Sequence, residues 1–253
     1  SSARSAPQDA QIVVRPSTER VSMICGCSGH DGEVWKDAPA PYPAGCAIWF
    51  DTAEGRTLIR RLGRRGYKAL EAWCDSWEAQ RDSSSCAPAS AMTAMRFLGV
   101  AGGWSQSRIY EDVLLPQQLF TQGVSLANGA RMFQVLGAGQ FLVEERCTED
   151  AGDAERALRL DLNMAFGEDD TCGEPMCIVA NYRRWLGGGT GGHWSPVAGW
   201  IEAAGLVLIL ETNAAKCPPH WVPLTDLVEA ICRWNSLTKR PRGYLVVRRT
   251  TPK

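Results

Sequence analysis

The feature that most constrains this chain is a change of period near Cys177. Before it, apolar residues recur at helical spacings; after it come short apolar runs joined by turns. From Thr52 to Trp77 the run TAEGRTLIRRLGRRGYKALEAWCDSW, interrupted by Gly63 and Gly66, predicts two consecutive helices. CAPASAMTAMRFLGVAGG predicts another, with Pro88 in its first turn and glycines beyond Val100 as its stop, so that Cys86 stands at its N-terminus. Ser105 to Leu160 reads as mostly helical with loops. Then CIVANYRRW is strand-like, GGGTGG is a flexible approach, and HWSPVAGWIEAAGLVLILETN gives two apolar runs around an Ala-Ala-Gly turn, a hairpin by pattern. PPHWVP reads as an extended connector, LTDLVEAICRW as an amphipathic helix and RGYLVVRR as a last strand. Helices first and antiparallel strands after predict an α+β fold, a helical N-terminal lobe and a C-terminal sheet lobe with a site between them.

Composition narrows the function classes. With 45% hydrophobic and 22% charged residues, the 253-residue chain has enough apolar side chains for one core. The 27 basic and 28 acidic residues leave a net charge of -1, so no single-sign field points to nucleic acid or a membrane surface. No apolar run approaches the roughly 18 residues a bilayer span needs, and the first twenty residues lack the apolar block of a secretory signal. A cytoplasmic protein is the expectation. The chain does not begin with Met, and SSARSAPQDAQ leaves the true start and any transit segment open. Residues 1–42, rich in Ser, Pro, Gly and charge, read as a poorly ordered leader, and 43–250 as the folded domain. The ten cysteines are dispersed, which fits a reduced compartment better than a disulfide scaffold. Cys25 and Cys27 are too close for a zinc knuckle, and Cys172 and Cys177 stand alone, so no metal site is expected.

Chemistry converges on one set of residues. A thiol is a useful nucleophile as thiolate, and both a helix N-terminus and an imidazolium lower its pKa. Cys86 is placed for the first effect and His193 for the second. A base must itself be oriented by a third group. Across a hairpin the start of one strand lies opposite the end of the next, which brings His193 within reach of Glu211-Thr212-Asn213; either Glu211 or Asn213 could orient it. Gln80, six residues before Cys86, could aim its amide at the point served by the Cys86 backbone N–H, forming an oxyanion hole. Each residue has a plainer reading: a cysteine near a helix start is as a rule a small buried hydrophobe. Of the other histidines, His30 lies in the leader and His220 reads as packing. The combination carries the argument.

These residues resemble the phytochelatin synthases, papain-like glutathione gamma-glutamylcysteinyltransferases. The resemblance runs over about residues 47–248: AIWFDTAEGRTLI, the offset from Gln80 to Cys86, GTGGHWSPVAGW, CPPHWVPL and RGYLVV, with the spacing from His193 to Glu211. It implies a papain-like two-lobed fold in which residues 43–250 are the catalytic domain. It implies that Cys86 attacks the cysteine–glycine peptide bond of glutathione, releases glycine, and passes gamma-glutamylcysteine to glutathione or a phytochelatin. Arg183, ten residues before His193, and Arg242 match positions that in the family hold the carboxylate of the gamma-glutamyl group, with the Gly192 backbone beside the acyl chain. The guanidinium fork suits that task. No covalent cofactor is implied. Cd2+ or Zn2+ enters as a glutathione thiolate complex, the acceptor. Partners are then glutathione and its metal thiolates, with a second copy of the chain, as a homodimer, kept as a candidate.

The chain departs from the family pattern in two places. Glu211 stands where the family has Asp, with Asn213 on the same strand face; the spacing favours Glu211. The family's Arg and two aromatics before Pro-Pro-His-Trp are replaced by Asn213-Ala214-Ala215-Lys216-Cys217. That region is linked to the acceptor, so a hydrolase giving gamma-glutamylcysteine and glycine is the alternative. A general papain-like peptidase fits the two arginines less well. A non-catalytic thiol-rich metal binder is the reading from a different class, and the dispersed cysteines argue against it.

Overall fold

The computed structural model describes residues 47–100, 102–116, 123–167, 175–184, 191–213, 218–236 and 238–250. The expected leader, with Cys25, Cys27 and His30, therefore lies outside the described residues, as do Cys172, most of the Gly-rich approach to His193, and Ala214 to Cys217.

The apolar spacing after Thr52 folds into α1 (Ala53–Ile59) and α2 (Arg64–Ser76), behind a short strand β1 (Ile48–Trp49). The Thr52 hydroxyl oxygen accepts the Gly55 N–H and starts α1. Gly63 separates the two helices as the N-cap of α2, whereas Gly66 lies buried inside α2. Helix α3 (Cys86–Phe97) carries Pro88 in its first turn, where a missing N–H costs no intrahelical bond.

The middle of the chain is less helical than its pattern. Gln106–Arg108 passes into a π-helical stretch, Ile109–Leu114, followed by α4 (Leu126–Gly137), strand β2 (Phe141–Arg146) and α5 (Ala151–Phe166). The FLVEER of β2 hides its strand character because it forms the edge of the sheet: one partner and exposed charges blur the alternation.

The strands after Gly167 are β3 (Met176–Arg183), β4 (Gly192–Ile201), β5 (Leu206–Ile209), β6 (His220–Pro223), and, beyond α6 (Leu224–Cys232), β7 (Trp234–Asn235), β8 (Arg240–Pro241) and β9 (Tyr244–Arg249). Five of them join β1 and β2 in one antiparallel sheet in the order β1-β6-β5-β4-β3-β9-β2, and β7 pairs with β8 apart from it. The fold is α+β, as the order of patterns predicts. PPHWVP is more than a connector, since its last residues form β6 between β1 and β5. Helices α2 and α3 pack on β4, α4 on β2 and β9, and α5 and α6 on β3. That cover explains why β3 is buried from Met176 to Tyr182 and reads as a continuous run. Among the described residues no helix is long and apolar enough to cross a membrane.

Pro196 sits inside β4, where a missing N–H would ordinarily break the ladder. The β4–β5 register shifts between Val197 and Gly199, immediately after it. The Pro196 carbonyl accepts the Leu210 N–H at 2.9 Å, so the chain continues alongside β4 past the end of β5. Glu211 to Asn213 are thereby laid beside the start of β4, and the Thr212 hydroxyl donates to the Trp194 carbonyl at 3.3 Å.

A polar cluster braces the sheet against α5. Asp161 Oδ2, on a buried side chain, accepts the Tyr244 hydroxyl at 2.9 Å and Arg146 Nε at 3.2 Å, while Arg146 also reaches Glu144. Tyr244→Phe removes a donor from a buried carboxylate, so stability should fall by about 1–3 kcal/mol. Urea denaturation reads this as a lower midpoint at unchanged slope; an unmoved midpoint would mean the cluster contributes nothing net.

Candidate active site

The turn that enters α3 is organised by Asp82. Its carboxylate accepts the Ser84 N–H at 2.9 Å and hydroxyl at 2.6 Å, and Ser85 binds it too; these bonds hold Asp82 below the usual carboxylate range. With Ser85 turned to Asp82, no side chain caps the first turn of α3, and Cys86 stands at the helix's positive end. Upstream, buried Gln106 fixes the approach: Nε2 donates to Glu78 Oε1 at 2.6 Å and to the Ala79 carbonyl at 2.7 Å, and Oε1 accepts the Arg81 N–H at 3.0 Å.

Gln80 faces both sides of the site. Its N–H donates to the Thr212 carbonyl at 2.8 Å, and its Oε1, 3.4 Å from the Thr212 hydroxyl, shares that single proton with the Trp194 carbonyl. Its Nε2 donates to the Asp82 carbonyl at 2.6 Å. One of the two amide hydrogens is therefore committed to the turn before Cys86.

The first residues of β4 bring His193 against Cys86, to which it is hydrogen-bonded. On the other side of the ring, Nε2 lies 2.5 Å from Glu211 Oε1, and both side chains are buried. Asn213 contributes its backbone: its N–H donates to Glu211 Oε1 at 2.7 Å. Of the two residues that could face His193, Glu211 holds the ring and Asn213 holds Glu211. The Trp77 indole N–H adds a bond to the Glu211 carbonyl at 3.1 Å.

Electrostatics follow from this order. Burial pushes the Cys86 thiol up, but the hydrogen bond and charge of His193, with the Trp194 backbone, outweigh it and leave the pKa lowered. Burial alone would depress His193; Glu211 and Cys86 reverse this and raise it to about 9. Glu211 is correspondingly lowered to about 2, its desolvation overcome by His193 and then by Arg184 and His220. Cys177 is the internal control: it is buried where Cys86 is partly exposed, has no imidazole, and is pushed far above the ordinary thiol range.

On the other face of β3 lie the arginines. Arg242 Nη1 donates to Asn181 Oδ1 at 3.4 Å, while Arg242 Nε and Asn181 Nδ2 are buried and have no hydrogen-bond partner among the described residues. Burial and the nearby Arg183 lower the Arg242 pKa, and Cys86 opposes them, so the cation sits within electrostatic reach of the thiol. A Cβ on Gly192 would collide with the Arg242 guanidinium, so only glycine lets it lie across the start of β4. Gly243 follows with φ +79, a left-handed turn against the Arg146 carbonyl. All the predicted side chains that can be located thus gather around Cys86 and the adjoining ends of β3, β4 and β9.

Sequence reasoning did not find Asn181, Tyr182, Arg184 or Gln106. Strand alternation could have found three of them, because residues of β3 with the same parity share a face. Asn181 and Arg183 turn toward Arg242. Tyr182 and Arg184 turn toward Glu211, the Tyr182 hydroxyl 3.5 Å from Oε2 and Arg184 Nη2 3.8 Å from Oε1. Gln106 acts from a distant segment, and no local signal marks it. Among the described residues no three His, Cys, Asp or Glu side chains are grouped to hold a metal ion. A cavity of about 300 Å³ lies elsewhere, between the end of β2 and α6, and neither Cys86 nor His193 lines it.

A family model described as phytochelatin synthase matches residues 41–244. Relatives include glutathione gamma-glutamylcysteinyltransferase 3 of Lotus japonicus, 26% identical over 216 residues, which are 81% of this chain and 43% of that protein. Glutathione gamma-glutamylcysteinyltransferase 1 of Arabidopsis thaliana is 25% identical over 219 residues, 82% of this chain and 43% of that protein. The Schizosaccharomyces pombe glutathione gamma-glutamylcysteinyltransferase is 35% identical over 65 residues, 26% of this chain and 16% of that protein. The chain thus spans less than half the length of the curated relatives it matches.

The buried pair makes stability depend on pH with a defined sign. The contribution of His193, raised to about 9, is fully present below 6.5 and lost as pH rises through 9. That of Glu211, lowered to about 2, is present above 4.5 and lost as pH falls through 2. His193→Ala should therefore be most destabilising, by about 3–5 kcal/mol, between pH 4.5 and 6.5. Urea denaturation of both proteins across pH checks this, and a difference that does not shrink toward pH 9 would contradict the charge pair.

Proposed function

The chain belongs to the phytochelatin synthase family, and on that premise we propose that it is a glutathione gamma-glutamylcysteinyltransferase working through Cys86, His193 and Glu211. The observation that carries this reading is the contrast between two thiols, Cys86 lowered by its hydrogen bond to His193 and Cys177 raised without such a partner. Thiolate is the nucleophilic form, and Cys86 is the thiol whose surroundings favour it.

The Cys86 thiolate attacks the carbonyl between cysteine and glycine in glutathione. The developing oxyanion is met by the Cys86 backbone N–H and by the Gln80 amide hydrogen not committed to Asp82. His193 gives its proton to the departing glycine amine, the peptide bond breaks, and gamma-glutamylcysteine remains as a thioester on Cys86. The amine of a second glutathione or a phytochelatin then attacks the thioester, His193 takes up its proton, and Cys86 leaves as thiolate. The product is lengthened by one gamma-glutamylcysteine unit. Glu211 keeps the imidazole in one orientation throughout and stabilises its charged form.

Arg242 and Arg183, with Asn181 beside them, hold the carboxylate of the gamma-glutamyl group, which two neighbouring cations and the unpartnered donors of Arg242 and Asn181 suit. The Gly192 backbone lies along the acyl chain. Cd2+ or Zn2+ takes part as substrate, joined to glutathione thiolates in the acceptor, and needs no protein ligand. A second reading is a hydrolase, with water as acceptor; Ala214 and Ala215, in place of the larger side chains of the family, favour it.

Incubation with millimolar glutathione, with and without cadmium, separates these readings by product mass. (gamma-Glu-Cys)2-Gly marks the transferase, and gamma-glutamylcysteine with glycine alone marks the hydrolase. Cys86→Ala should lower turnover on the order of 10⁶-fold while the fold persists; retained turnover would refute the mechanism. Arg242→Ala removes charge-assisted bonds worth about 1.5–3 kcal/mol, so KM should rise roughly 10- to 100-fold.

A further inference from the structure

The Glu211 carboxylate has two oxygens in different circumstances. Oε1 receives His193 Nε2 at 2.5 Å and the Asn213 N–H at 2.7 Å, with Arg184 Nη2 at 3.8 Å. Oε2 meets one hydroxyl, that of Tyr182 at 3.5 Å, and Glu211 has no exposure to water. The same phenol lies 3.2 Å from Ser195 Oγ, and Ser195 is fully buried. A phenol has one proton. If it is donated to Glu211, the Ser195 hydroxyl must donate to the phenol oxygen, giving a chain from Ser195 through Tyr182 to Glu211. The Tyr182 ring also stands perpendicular to the imidazole, at 89° with centroids 5.6 Å apart.

We propose that Tyr182, supported by Ser195, is a positioning residue: its hydroxyl holds the outer oxygen of Glu211 and its ring bounds the His193 imidazole, so that Oε1 stays on Nε2. The inference rests on the thiolate–imidazolium reading of Cys86 and His193. Its physical basis is that glutamate has a rotatable bond more than aspartate between backbone and carboxylate. A buried carboxylate held by one oxygen alone is free to turn, whereas donors at both oxygens fix its plane. Without the phenol, Oε2 is buried and unpaired. That condition is relieved by turning away from His193 or by taking up a proton, and either weakens the hold on the imidazolium and so on the Cys86 thiolate. Among the described residues, the charged and titratable groups facing Glu211 are His193 from β4, His220 from β6 and Arg184 beyond β3; those acting on Cys86 are His193, Arg242 and, in the opposite sense, Glu211.

The test is Tyr182→Phe, which keeps the ring. Iodoacetamide labelling of Cys86, followed by the mass of its peptide across pH, reports the thiolate without any substrate. The labelling midpoint should move up by about half a pH unit or more, and kcat with glutathione should fall roughly tenfold at nearly constant KM, short of the hundredfold of a grossly misplaced catalytic group. Ser195→Ala, which keeps the phenol, should move the midpoint the same way by less. An unmoved midpoint with only a lower unfolding midpoint would make Tyr182 a packing residue and overturn the proposal. So would a larger shift from Ser195→Ala than from Tyr182→Phe. A shifted midpoint in a chain that does not process glutathione would uphold the positioning role while refuting the substrate reading.

Discussion

Everything at this site depends on a negative charge that the fold keeps away from water. An isolated carboxylate at the depth of Glu211 would take up a proton rather than remain ionised. It stays ionised because an imidazole, a backbone N–H and a guanidinium converge on it. The imidazole in turn carries its proton because that charge is there. The thiol is the last member of the series, and its lowered pKa is borrowed from a carboxylate it does not touch. Burial opposes the charged form of each of the three, and the sheet register holds them close enough for mutual attraction to win.

That arrangement was partly legible in the sequence. Cys86 at a helix start followed from Pro88 and the good helix formers after it. The meeting of His193 and Glu211 followed from hairpin geometry, even though the pairing depends on a register shift after Pro196 that no pattern announces. Whether Glu211 or Asn213 faces the ring was open, because both have the same parity; the structure uses the side chain of one and the backbone of the other. What remained hidden belongs to longer connections. Gln106 orders the loop before Cys86 from a segment some twenty-five residues on, at 3.0 Å from the Arg81 N–H. β2 lies at a sheet edge, where charge replaces alternation, and β6 is bracketed by prolines that read as a linker.

Strand β3 separates two electrostatic tasks on one backbone. One face presents Asn181 and Arg183 with the cation of Arg242; the other presents Tyr182 and Arg184 to Glu211. Adjacent arginines of the same type thus have different surroundings, and exchanging their roles would require a one-residue slip that also turned the whole strand over. The cationic side and the ionisation of Glu211 on the other side are set by the same register.

The ties across the site carry a mechanical consequence. The Gln80 N–H is bonded to the Thr212 carbonyl, the Trp77 indole to the Glu211 carbonyl, and the Thr212 hydroxyl to the Trp194 carbonyl. The loop that delivers Cys86 and the two strand ends that deliver His193 and Glu211 are therefore stitched into one rigid frame. The helical half and the sheet cannot hinge open at this seam without unmaking the bonds that align Cys86, His193 and Glu211. Molecules must enter and leave from a side that these stitches do not cross, and the arrangement is better described as a fixed jig than as a pair of jaws.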